Sequence, residues 1–194
     1  MAAPPDAHGV MEDADVVLRS LDEPDLFASL YDRYADDMHR YLAARLGREH
    51  AEDLVADTFL IAFNSRRSFD PARGTVRPWL YGIATNVVAR HRRTEGRRLN
   101  ALSKVTAESA VEGHEDGLTS RLAAEASRPE LLRGLKGLSR ADRDVVFLLV
   151  FGGLDYNEIA AALDIPSGTV GSRLNRARNK LREALGGVNP MRGQ

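Results

Sequence analysis

Residues 154–185 read LDYNEIAAALDIPSGTVGSRLNRARNKLREAL. Ile159, Ala160 and Leu163 share one side of a short helix, Tyr156–Leu163, and Asp155 with Glu158 has the spacing of a helix cap. Asp164-Ile165-Pro166 makes the turn. A second helix follows, expected to be capped by Ser167, with Val170, Leu174, Ala177 and Leu181 facing inward. The small side chain of Ala160 lets the two helices cross closely, and Ile165 plugs the corner between them. This is the arrangement of a helix-turn-helix, whose second helix projects into a DNA major groove. The outward face carries Gly168, Gly171, Ser172, Asn175, Arg176 and Asn179, which are small, hydrogen-bonding or basic. Arg173, Arg178, Lys180 and Arg182 flank it where phosphates would lie. The competing reading is a plain helical hairpin with a basic face.

Working outward, Leu131, Leu132, Leu135 and Leu138 predict a short helix. Ser139 and Asp142 have capping-box spacing and open the next one, Arg140–Phe151, which stops at Gly152-Gly153. The run Val145–Phe151 is apolar nearly all round, so it has to be covered on several sides. Packing within the small domain, packing on the N-terminal half in a closed form, and an external partner would each do so. Residues 99–128 lose the periodicity and read as a flexible linker with room for some helix. Before it, three helices are expected. The first carries Phe27, Leu30, Tyr31, Tyr34, Met38, Tyr41, Leu42 and Leu46, and ends at Gly47. The second buries Ala51, Leu54, Val55, Thr58, Phe59 and Ala62. The third starts near Thr75 with Pro78 in its first turn, buries Val76, Trp79, Leu80, Ile83 and Val87, and runs into Arg90–Arg98. Between the second and third, residues 64–74 (NSRRSFDPARG) form a loop. No stretch alternates as a strand does. The fold class is therefore all-α: an acidic, largely disordered tail at 1–24, a helical domain at 25–98, the linker at 99–128, a helix-turn-helix domain at 129–187 and a short tail at 188–194.

Composition narrows the function. The 194 residues carry 27 Lys+Arg and 28 Asp+Glu, a net charge of −1. Residues 1–25 hold seven acids and one base, 90–104 hold six bases and one acid, and 167–182 hold five bases and no acid. Two separate basic clusters suit two contacts with a polyanion, against the plain reading of solvated helix faces. Cys is 0, which excludes disulfides, thiolate metal sites and a cysteine nucleophile. No apolar run reaches the roughly 18 residues of a membrane span, and the N-terminus lacks a secretory pattern, so a cytoplasmic location without membrane insertion is expected. No phosphate-cradling Gly loop, nucleophile elbow or paired-His helix appears; no catalytic residue, cofactor or metal site is assigned. His50, Asp53 and Asp57 have helical spacing for a metal, with no further His or Cys in support.

IPSGTVGSRLNRARNKLRE (165–183) resembles region 4 of the extracytoplasmic-function sigma factors, with their Pro-x-Gly-Thr-Val-x-Ser-Arg-Leu-x-Arg-Ala-Arg pattern. AEDLVADTFLIAF (51–63) and WLYGIATNVVARHRR (79–93) resemble region 2 of the same family. The resemblance covers roughly residues 25–98 and 129–187. It implies a non-catalytic alternative sigma factor with core RNA polymerase and promoter DNA as partners, and an anti-sigma factor as an expected inhibitor. Glu52, Asp53, Asp57 and Leu60 would meet the clamp helices of the polymerase largest subunit, and region 4 its flap. Ser68, Phe69, Asn86, Arg90, Arg93 and Arg97 would hold the melted −10 strand, with Gly82 permitting close backbone approach. Ser167, Thr169, Gly171, Ser172, Arg173, Asn175, Arg176, Arg178 and Lys180 would contact the −35 duplex. The linker acids Glu108, Glu112, Glu115 and Asp116 would sit on the polymerase, and the acidic N-terminus would screen the basic heads. The chain's end soon after region 4 implies no appended domain. Gly171 departs from the family, which usually has Arg or Lys there; the promoter read then differs, or Asn175 or Arg176 makes the contact. The alternative is a conventional helix-turn-helix regulator, which leaves residues 25–98 unexplained.

Overall fold

The computed structural model describes residues 12–105 and 129–185, excluding the side chains of 99, 101–105 and 129. All regular elements among them are helical. The N-terminal half contains α1 (Asp13–Arg19), α2 (Ala28–Leu46), α3 (Arg48–Ser65) and α4 (Val76–Val105), with single 3-10 turns at Pro24–Phe27, Arg66–Ser68 and Pro71–Arg73. The C-terminal half contains α5 (Pro129–Lys136), α6 (Arg140–Val150), α7 (Tyr156–Leu163) and α8 (Ser167–Ala184).

The N-terminal bundle forms as its periodicity requires. α2 buries Leu30, Met38, Tyr41 and Leu42 and stops at Gly47, whose φ of +90° suits a residue without Cβ. α3 buries the six positions expected, Ala51 to Ala62. Aromatic edges fasten the helices together: Phe27 meets Phe63 at 5.4 Å, Tyr31 meets Phe59 at 4.9 Å, and Tyr41 meets Tyr81 at 5.2 Å between centroids. The Tyr41 and Thr85 hydroxyls share a buried hydrogen bond of 2.8 Å. Burial, with further influence from Asp37, pushes the Tyr81 hydroxyl up to about 12.

One expectation needs correction. The tail at 1–24 is helical from Asp13: Val16 and Val17 are fully buried, and Asp13 bonds Arg33 and Tyr34 of α2. Two valines among acids are too short a pattern to show a helix, and tertiary burial supplies the stability that local propensity lacks. Asp13, held against α2, is thus not part of a mobile screen. α4 continues to Val105, so the first residues of the stretch read as linker are helical. The rest of the linker, with Glu108, Glu112, Glu115 and Asp116, lies outside the described residues, as do residues 1–11.

In the C-terminal half, Ser139 Oγ accepts from the Asp142 amide at 3.1 Å and opens α6. Asp155 and Glu158 form a reciprocal capping box on α7. Asp164 ends α7 in the left-handed region, at φ 51°. The residue preceding α8 is Pro166, and Ser167 is its first helical residue with no capping bond, so the cap expected of Ser167 is not formed. Proline's fixed φ starts this helix instead.

The two halves touch. α7 lies along α4, and α6 reaches α2. An added Cβ at Gly82 would sit 2.5 Å from the Ala162 carbonyl oxygen, so backbone meets backbone there. Of the run Val145–Phe151, Val145, Phe147 and Leu148 are fully buried, and Phe147 lies under Arg45 of α2. Cover therefore comes both from within the small domain and from the N-terminal half, while Val150 stays exposed.

Candidate nucleic-acid and polymerase interfaces

α8 divides as its sequence requires. Val170, Leu174 and Ala177 are buried. Ser167, Ser172, Asn175, Arg176, Arg178 and Lys180 are exposed, and Thr169, Gly171 and Arg173 are half-buried. Three of the basic side chains are braced from below. Arg176 donates to Asp142 Oδ1 at 3.1 Å, Arg178 to the Tyr156 hydroxyl at 3.2 Å, and Lys180 to the Gly137 carbonyl at 3.3 Å. These contacts leave other N–H donors of each cation for a ligand. Asp142 is a member of the site that sequence reading missed. Its place in the cap was recognised, but its bond to a residue 34 positions away has no local signal.

Nothing lies within 4 Å of a Cβ built at Gly171, so packing does not demand glycine. Gly171→Ala is therefore expected to stabilise the chain by about 0.5–1 kcal/mol, measured as a higher urea midpoint. Gly171→Arg is expected to fold normally and to change the preferred −35 sequence in a selection from randomised duplexes.

In the N-terminal half, Asn86, Arg90, Arg93 and Arg97 run along an exposed stripe of α4. Arg90 also bonds Asp57 of α3 at 3.0 Å, which couples a residue of the expected −10 set to one of the expected polymerase set. Ser68 is exposed, and its hydroxyl donates to the Ser65 carbonyl at 2.7 Å. Phe69 differs from its expected role. It is buried against Trp79, with centroids 5.2 Å apart, so it supports the loop rather than presenting a face to a base. Trp79 is half-buried in that contact, in keeping with a packing role. Glu52, Asp53 and Leu60 project outward from α3, and Leu60 is 59% exposed. An apolar residue ringed by acids suits a basic protein surface. His50 faces His91 of α4 at 4.8 Å, and burial together with His50 holds His91 below the ordinary histidine value. Among the described residues no group of three metal-ligating side chains converges.

Around these two basic surfaces run contacts between the halves. Arg73 pairs with Asp164 at 2.8 Å. Arg77 donates to the Gly152 carbonyl at 2.6 Å and lies 3.5 Å from Glu158. Arg45, 1% exposed, pairs with Asp144 and stacks between Tyr41 and Phe147 at 5.7 and 5.0 Å. Burial opposes its charge, yet the Tyr41 and Asp144 oxygens outweigh burial and hold the guanidinium above its usual value. Sequence reading joined none of these three arginines to its partners.

Comparison with known proteins agrees with this layout. Residues 30–98 match sigma-70 region 2, and residues 128–181 match sigma-70 region 4. The chain is 38% identical over 162 residues to the ECF RNA polymerase sigma factor SigE of Mycolicibacterium smegmatis, covering 79% of this chain and 59% of that protein. It is 32% identical over 178 residues to the ECF RNA polymerase sigma factor SigW of Bacillus subtilis, covering 84% of this chain and 90% of that protein. Among solved structures, CnrH in complex with the cytosolic domain of CnrY matches with a TM-score of 0.63 and 25% identity, over 91% of this chain and 99% of that one. The sigma factor RpoE of Bartonella quintana, bound to the anti-sigma factor NepR, matches with a TM-score of 0.59 and 27% identity, over 82% and 96%. Two exposed basic surfaces in the right order, an acidic face beside the first and relatives aligned across both halves make one assignment: the chain belongs to the ECF RNA polymerase sigma factors of the sigma-70 family.

Proposed function

We propose that this chain is an alternative sigma factor that catalyses nothing itself and directs core RNA polymerase to a promoter. Residues 25–98 act as region 2 and residues 129–187 as region 4. α3 docks on the polymerase through Glu52, Asp53, Asp57 and Leu60. α8 enters the −35 major groove, where Asn175 and Arg176 read base edges and Arg173, Arg178 and Lys180 hold phosphates. The loop Ser65–Gly74 and the Asn86 stripe retain the unpaired −10 strand. Opening each stacked step costs about 1.4 kcal/mol, and the amide of Asn86 with the phosphate contacts of Arg90, Arg93 and Arg97 offsets part of it. The observation that carries this reading is the pairing of two exposed basic surfaces with an exposed acidic-apolar face, in a chain of the sigma-70 family. An anti-sigma factor is proposed as a further partner, since CnrH and RpoE were both solved with partner proteins and the latter's is an anti-sigma factor. Among the described residues no helix is long and apolar enough to cross a membrane, and action on polymerase places the protein in the cytoplasm.

Run-off transcription tests the proposal. Core polymerase with this chain is expected to initiate at promoters that core alone ignores; a conventional regulator would require another sigma factor. Asp53→Ala is expected to weaken core binding several-fold without changing promoter choice. An effect on promoter choice alone removes α3 from the polymerase face.

A further inference from the structure

The first turn of the loop Ser65–Gly74 is pinned at both ends and bare between them. The turn, Arg66–Ser68, is closed by the Phe69 amide, which donates to the Arg66 carbonyl at 3.2 Å. Its far end is held by Phe69, buried against Trp79. Its near end is held by a charged side chain. The Arg66 guanidinium lies over the Phe63 ring, 3.8 Å from the centroid. One terminal nitrogen donates to the Phe63 carbonyl at 2.5 Å, and Nε donates to the Ser20 carbonyl at 3.3 Å. Between these two anchors, Arg67 and Ser68 are exposed.

The partners of Arg66 are themselves fixed. Phe63, in the last turn of α3, meets Phe27 edge-on at 5.4 Å. Ser20, the residue after α1, is fully buried, and its hydroxyl donates to the Val17 carbonyl. One half-buried guanidinium therefore ties the loop to α1 and α3 together. A planar group with donors along its edges and an aromatic ring beneath its face can do this, whereas the point charge of a lysine cannot. A single 3-10 turn has little stability of its own, so the direction in which Arg67 and Ser68 point is set by its two ends. Arg66 differs in this from Arg90, Arg93 and Arg97, which stand exposed on α4.

We propose that Arg66 is a positioning residue for promoter reading: it holds the start of the loop against α1 and α3, so that Arg67 and Ser68 meet the −10 strand in one fixed geometry. The proposal rests on the reading of this loop as part of the −10 surface. It gives α1 a share in promoter selectivity without a contact to DNA.

The test uses holoenzyme assembled from core polymerase and the full-length chain. It is titrated with single-stranded oligonucleotides carrying the −10 sequence that the unmodified chain selects, or the same sequence with one base changed, at two salt concentrations. Arg66→Ala is expected to lower the preference for the selected strand by about tenfold. Core affinity and −35 duplex binding should not change, and the salt slope should stay the same because no phosphate contact is lost. Arg66→Lys keeps the charge and is expected to resemble the alanine variant. Phe63→Leu keeps an apolar side chain on α3 but removes the ring beneath the guanidinium. It is expected to lower the preference by about two- to threefold, with the double variant no worse than Arg66→Ala alone. This variant carries the test if Arg66→Ala is poorly folded by circular dichroism. An unchanged preference in a folded variant overturns the anchor. So does a lysine variant that behaves as the native chain, or a salt slope lowered by about 1, either of which makes Arg66 a phosphate contact. Arg67→Ala and Ser68→Ala test the underlying reading separately. Weaker −10 binding in either, with Arg66→Ala unchanged, overturns the anchor alone. Unchanged −10 binding in all three overturns the loop as a −10 surface, and the anchor falls with it.

Discussion

Deleting residues 1–20 will destabilise the N-terminal domain by on the order of 3 kcal/mol. Val16 and Val17 are fully buried beneath α2 and α4. Burying each valine contributes about 1.5–3 kcal/mol, and ordering the α1 backbone takes part of that back. The deletion also removes polar contacts. The Ser20 hydroxyl donates to the Val17 carbonyl at 2.6 Å in a buried site, and Arg66, just after α3, donates to the Ser20 carbonyl at 3.3 Å. Asp13 bonds the Tyr34 hydroxyl, which burial and that bond push well above its ordinary value. The urea midpoint of the deleted chain is therefore expected to fall, with the slope of the transition little changed. Had the acidic segment been a mobile screen over the basic heads, deletion would leave stability untouched and raise the affinity of the free chain for DNA. A Val17→Ala variant separates the two accounts, because it keeps every acid and still removes part of the buried surface. An unshifted midpoint in both forms would show that α1 does not belong to the core.

Residues that interact within one helix or one turn were readable from sequence, and those that interact across the chain were not. The bounds of α7, the capping box at Asp155 and Glu158, and the inward set Val170, Leu174 and Ala177 follow from spacings of three and four residues. The buried face of α3 follows for the same reason. Ser167 failed as a cap because Pro166 already sets the entry to α8, and a serine in the first turn looks the same in sequence as one just before it. α1 escaped notice because its apolar content is two adjacent valines and a leucine, with no period to measure. Gly82 is the instructive case. Its lack of a side chain was read as room beside the melted strand, and in this structure the backbone of Ala162 takes that room, which nothing local in the sequence indicates. Arg45 and Asp144 look like ordinary charged helix positions until the fold brings them together, since a pairing over 99 residues leaves no periodic trace.

The largest effect on DNA recognition is expected at Arg176. Its side chain is 56% exposed on the outward face of α8, and one nitrogen donates to Asp142 Oδ1, whose side chain is 4% exposed. A guanidinium has five donors in a planar fork, so a brace at one edge holds the other edge toward a base without using it up. Bidentate contact of this kind typically discriminates by about 1–3 kcal/mol, and Arg176→Ala is expected to weaken −35 duplex binding by that amount and to relax preference at one position. The fold should tolerate the loss. Asp142 lies in the first turn of α6, where the helix N-terminus stabilises its charge after the arginine is gone. Asp142→Asn provides the complementary test. It keeps the fork but loosens its orientation, so it should weaken specific binding less than Arg176→Ala does. Arg176→Lys keeps the charge and loses the planar pair of donors. If Arg176 reads a base, the lysine variant will resemble alanine in sequence preference while retaining most of the salt dependence. If Arg176 only holds a phosphate, alanine will weaken all duplexes alike and lower the salt slope by about 1, and lysine will behave as the native protein does. Binding measured on the selected duplex and a mismatched one, each at two salt concentrations, separates these outcomes. The second would move base recognition to Ser172, Asn175 and Asn179, the remaining hydrogen-bonding groups on that face.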